Sequence, residues 1–113
     1  MKEILEKSFD FSVRALELIN YLKTENRPFP LAERFLSRAA DIGITVRLIR
    51  GTGKQSFSDR YKQALNYLLE AEYLLEIMVK TGYLSEKQSR PMMDDCHGLA
   101  ALITAQLQTD AAL

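Results

Sequence analysis

Residues 31–54, LAERFLSRAADIGITVRLIRGTGK, constrain the fold more than any other stretch of this chain. As a helix the segment lines up Leu31, Phe35, Ile42, Val46 and Ile49 at spacings of four, seven, four and three, which makes one continuous apolar stripe. A second row, Leu36, Ala40, Ile44 and Leu48, advances in steps of four on roughly the opposite side, where a lone small domain shows solvent. A helix that is apolar on two faces is buried on two faces. One face packs inside its own domain, and the other needs a second subunit or a partner. The oligomer interface expected from sequence is therefore Leu36, Ala40, Ile44 and Leu48.

The rest of the chain supplies helices to pack against this one. The first runs over about 2–24, with Leu5, Phe9, Ser12, Val13, Leu16 and Asn20 on one side and Phe11, Ala15, Leu18, Ile19 and Leu22 on another. Thr24-Glu25-Asn26-Arg27-Pro28-Phe29-Pro30 closes it, and Pro30 suits the first turn of the second helix, 30–51, because proline presets the helical angle and needs no donor there. Gly51-Thr52-Gly53 ends that helix. Ser56 and Asp59 have capping-box spacing and open a third helix, 57–81, with Phe57, Tyr61, Ala64, Leu65, Leu68, Leu75, Met78 and Val79 as its core stripe. Gly82 stops it, and Tyr83-Leu84 can fold back on the cap.

Ser85 and Gln88 form a second capping box for a fourth helix over about 86–108. Pro91 leaves two starts open: from Ser85 it falls beyond the first turn and kinks the helix, whereas from Ser89 it falls inside the first turn and is tolerated. The residues from Thr109 onward are expected to fray. With no alternating strand pattern and no repeat, the fold expected for one domain spanning 1–113 is an all-α, antiparallel up-down-up-down four-helix bundle.

Charge narrows the function classes. The net charge is zero, which argues against a globally basic nucleic-acid binder. The distribution is uneven, however: residues 27–54 carry six bases and two acids, for a net of plus four, while residues 88–113 sum to minus two. Arg47, Arg50 and Lys54 close the second helix, where cations oppose its dipole and where copies repeated around an axis focus a positive field. They are the candidate nucleic-acid-binding residues. No apolar run reaches the roughly 18 to 20 residues of a membrane span, no secretory signal opens the chain, and a single cysteine, Cys96, forms no internal disulfide. A cytoplasmic protein without membrane association is expected.

No catalytic residue, metal site or cofactor is expected. Gly51-Thr52-Gly53-Lys54-Gln55-Ser56 has a superficial likeness to a phosphate-binding loop but lacks its spacing and a preceding strand. Asp94-Asp95-Cys96-His97 offers four ligand types, yet consecutive residues on a helix point about 100° apart and no second Cys or His completes a zinc set. The same divergence disqualifies Cys96 and His97 as a nucleophile and base. Glu70, Glu72 and Glu76 read as a solvated or salt-bridged face, and Tyr61, Tyr67, Tyr73 and Tyr83 as core or interface.

Phe29-Pro30-Leu31-Ala32-Glu33, Ser37-Arg38-Ala39-Ala40, a second helix ending in glycine, Ser56, a long Leu/Glu-rich helix and Gly82-Tyr83-Leu84-Ser85 together resemble the small four-helix-bundle proteins encoded by intervening sequences in bacterial 23S ribosomal RNA genes. The resemblance covers nearly the whole chain and implies a homopentamer, in agreement with the two-faced second helix. A similar bundle is the accessory protein of diversity-generating retroelements, which implies nucleic acid and a reverse transcriptase as partners. This chain departs from the pattern in having Arg47 and Arg50 where the family usually has an Asn and then a Glu before the glycine. The function expected is a non-enzymatic, pentameric four-helix bundle binding RNA or DNA through Arg47, Arg50 and Lys54. The alternative is an assembly or scaffold module whose partners are proteins alone.

Overall fold

The computed structural model describes residues 2–51, 53 and 57–112, the side chains of 110–112 excepted. Four α-helices follow one another: α1 (Lys2–Thr24), α2 (Ala32–Leu48), α3 (Phe57–Lys80) and α4 (Glu86–Ala112). A single 3-10 turn, Ile49–Gly51, extends α2, and no strand occurs among the described residues. The Ser56 half of the capping box expected for α3 lies outside the described residues.

Local chemistry accounts for the helix ends. At the end of α3, Gly82 takes a φ of +85°, its N–H reaches the Val79 carbonyl at 3.1 Å, and the Tyr83 N–H reaches the Met78 carbonyl at 2.9 Å. This pair of backward bonds satisfies two carbonyls that the helix leaves open. Asn26, at φ +59°, closes α1 in the same way, with the Asn26 N–H on Lys23 O at 3.0 Å and the Arg27 N–H on Leu22 O at 2.8 Å. Leu84 is buried after its cap, and the Tyr83 ring meets Phe29 edge-on at 5.2 Å between centroids. Arg27 donates to the Gly82 carbonyl, which ties the α1–α2 connection to the α3–α4 connection.

Two sequence expectations are corrected at α2. Pro30 stands in the turn before the helix and not in its first turn, and Leu31 occupies the cap position with φ −100° and ψ 22°. Because Leu31 precedes the helical phase, it leaves the core stripe and is 40% exposed. The two starts left open for α4 resolve in favour of Ser85. Its Oγ accepts the Gln88 N–H at 3.1 Å, while the Gln88 side chain accepts the Ser85 N–H at 2.9 Å. Pro91 is then the sixth residue of α4. Its ring removes a donor to the Lys87 carbonyl, and both residues are exposed, where water can satisfy that group.

The core collects one face of each helix: Phe11, Ile19 and Leu22 of α1, Phe35, Ile42 and Val46 of α2, Tyr61, Leu68, Leu75 and Met78 of α3, and Leu99 and Ile103 of α4, together with Ile49. Helices α1 and α2 approach closely through small residues. Ser12 Oγ reaches the Ala39 carbonyl at 2.9 Å and the Ser8 carbonyl at 3.1 Å, and a methyl at Gly43 would lie 3.5 Å from Ser8 O. Residue numbers fall on α2 as they rise on α1. They do the same on α4, where Asp95 meets Arg14 and Gln88 meets Tyr21.

Candidate functional site

The tight α1–α2 packing leaves the second apolar face of both helices uncovered. On α1, Phe9 is 54% and Leu16 51% exposed, with Val13 between them; on α2, Ile44 is 54% and Leu48 52% exposed. Where the two faces meet, Leu5, Phe9, Ile44 and Leu48 wall a groove of about 280 Å³ floored by Ser12, Ala40 and Gly43. The row Leu36, Ala40, Ile44 and Leu48 is therefore not uniform. Leu36 packs against the core and Ala40 is half-buried, while Ile44 and Leu48 face solvent. A straight row at steps of four drifts around the helix, so its early members turn inward and its late members outward.

Arg47 and Arg50 border this groove. Arg47 lies over the face of the Phe9 ring, and both arginines share a depression with Leu5, Glu6 and Phe9 of α1. Both are exposed, and neither makes an ion pair among the described residues. Lys54 lies outside the described residues. The other arginines of this segment are engaged or set apart. Arg38 donates to Glu70 and, at 3.1 Å, to Asp41, and its guanidinium carbon is 5.4 Å from the Tyr67 ring centroid. The hydrogen bond to Glu70 holds its pKa above the ordinary arginine value. Arg34 sits on a second apolar patch, where Leu31 meets Leu69 and Tyr73 of α3.

The sequence did not connect Phe9, Leu5 and Glu6 with Arg47, since more than thirty positions separate them and only the α1–α2 packing joins them. The second patch was also missed. Leu69 and Tyr73, exposed by 50% and 64%, step by four along α3, a spacing visible in sequence but not assignable to core or surface without the neighbours.

The four candidate ligands on α4 point in different directions. Asp95 pairs with Arg14 of α1, Cys96 is buried, His97 Nε2 lies 3.1 Å from Glu72 Oε2 of α3, and Asp94 borders the α3–α4 groove with Glu76 and Arg90. Burial, reinforced by the charges of Glu72, Asp95 and Glu76, pushes the Cys96 thiol up to about 12, so at neutral pH it is a protonated core side chain. No helix among the described residues is long and apolar enough to cross a membrane.

No family model and no curated protein matches the chain. Its structure is similar to the crystal structure of a protein with unknown function from the S23 ribosomal protein family of Bacteroides thetaiotaomicron. The TM-score is 0.89 at 24% identity, over 95% of this chain and 96% of that one. At this identity the likeness establishes a shared fold and nothing about activity.

Proposed function

We propose that this chain belongs to the family encoded by 23S ribosomal RNA intervening sequences, and that it is a cytoplasmic, non-enzymatic, antiparallel up-down-up-down bundle. It assembles as a homopentamer and engages RNA or DNA through Arg47, Arg50 and Lys54. The observation that carries this reading is the pairing of an uncovered apolar face with arginines at its edge that make no ion pair among the described residues. The first favours assembly, and the second favours a polyanion once several copies are brought together. The S23 ribosomal protein family of the structural neighbour agrees with the family proposed. Glu6 of α1 lines the same depression as Arg47 and Arg50 and opposes their charge. A reverse transcriptase is the protein partner that the resemblance to the retroelement accessory bundle implies.

The zero net charge favours a second reading, a scaffold whose only partners are proteins. Light-scattering mass, measured with and without a mixed pool of short RNA and DNA, separates the two. A mass near five chains that rises with nucleic acid supports the first reading. A pentamer indifferent to nucleic acid at low salt supports the second, and a monomer overturns both.

A further inference from the structure

Among the described residues, eight of the nine exposed large apolar side chains fall into two groups on different faces. Phe9, Val13, Leu16, Ile44 and Leu48 form the α1–α2 face, and Leu31, Leu69 and Tyr73 form the α2–α3 face. Both faces are grooved. The first groove has a floor of small residues, Ser12, Ala40 and Gly43, and the second, of about 350 Å³, is lined by Leu31, Leu69 and Tyr73, Tyr73 being at 64% the most exposed of these side chains. Each rim also carries both signs of charge, Glu6 and Arg47 beside Phe9 and Arg34 and Glu70 beside Tyr73, so like-charge repulsion does not oppose contact between them.

We infer that the occupant of the α1–α2 face is the α2–α3 face of a second copy of this chain, with Tyr73 and Leu69 seated against Phe9, Ile44 and Leu48. A self-complementary contact of either face with itself would cover one patch and leave the other in water. The head-to-tail contact covers both in every copy and repeats from chain to chain. It also brings the exposed Tyr73 ring to the groove whose floor is built of small residues. The inference rests on the assembly reading above and adds which surfaces meet.

Two variants test it. Ile44→Glu disables one face and Tyr73→Lys the other, and both sites are exposed enough for the fold to survive, as helical circular dichroism will verify. Leu48→Glu and Leu69→Lys replace any variant that does not fold. Each variant alone is expected to be a monomer. Mixed in equal amounts they are expected to form a dimer of twice the 12.9 kDa chain mass, because the intact Tyr73 face of one docks on the intact Ile44 face of the other and growth stops there. If the unaltered chain is a monomer, the assembly reading itself is overturned. If the unaltered chain is oligomeric but the Tyr73→Lys chain remains so, or if the mixture stays monomeric, assembly stands and the head-to-tail inference is overturned.

Discussion

Arg47 of α2 lies across the ring of Phe9 of α1, its guanidinium carbon 5.9 Å from the ring centroid. The contact places a cation at the boundary between the exposed apolar face and the basic end of α2. A guanidinium over an aromatic face is held in place without losing its charge, so Arg47 stays available to a phosphate. Arg50, three residues further along, makes no such ring contact among the described residues. In the proposed assembly, protein contact and nucleic-acid contact therefore adjoin each other at one residue.

Replacing both arginines tests that placement. Arg47→Glu with Arg50→Glu is read at an oligomer mass measured alongside, since Arg47 also lines the apolar groove. The slope of log affinity against log salt should flatten by about 2 for each subunit that engages duplex, as loss of two phosphate contacts requires. Filter binding across a salt series gives the slope, and an unchanged slope would show that the arginines do not face the nucleic acid.

Two glycines should respond to alanine with opposite signs. Gly82 has a φ of +85°, where a side chain costs about 1 kcal/mol or more, so Gly82→Ala should lower the midpoint of chemical denaturation. Gly98 lies in the interior of α4, and a methyl there meets nothing within 4 Å. Gly98→Ala should raise stability by about 0.5 to 1 kcal/mol through helix propensity alone. Urea unfolding of the two variants side by side decides the matter.

Phe35 is fully buried between the helices. Truncation to alanine removes its transfer energy and leaves a cavity, at a cost of about 3 to 5 kcal/mol. A large fall in thermal midpoint is expected, and a loss below about 1 kcal/mol would mean that the site collapses around the gap.

Cys96 predicts an alkaline limb of stability. In the folded chain its thiol keeps its proton to about 12, against an ordinary value of 9.0. Between those values the unfolded chain releases the proton first, so stability is fully present below about pH 9 and falls as pH rises toward 12. Midway through that window the loss is on the order of 2 kcal/mol. Cys96→Ala should flatten this limb relative to the unaltered chain in urea titrations at stepped pH. Reaction of the native thiol with Ellman's reagent at pH 8 should be slow and should accelerate on unfolding.

The candidate site was legible in part. Arg47 and Arg50 stand out as bases crowded near one helix end, and Ile44 and Leu48 as apolar residues off the core stripe. Leu36 falls in the same row by spacing, which does not say how far a row drifts before it meets a neighbouring helix. Leu31 fits the core stripe by spacing, but the helix begins after it, at Ala32. Phe9 reads as part of one of two apolar sides of the first helix and Tyr73 as core or interface, and nothing local says which side or which role.

The stop of α3 was legible in sequence because its cap contacts span five residues or fewer. Gly82 permits the left-handed backbone that ends α3, and Ser85 with Gln88 has the spacing to exchange two hydrogen bonds, although Pro91 leaves Ser89 open as a start until the structure shows both bonds made. The core residues of α3 were also readable, because that helix has one dominant apolar stripe. In α1 and α2 both faces are apolar, and no local rule ranks them. Only the tertiary structure decided between them: Ser8, Ser12, Ala39 and Gly43 let the two backbones come close, which commits Phe11 and Ile42 to the core and turns Phe9 and Ile44 outward. That choice depends on which small residues meet across two helices.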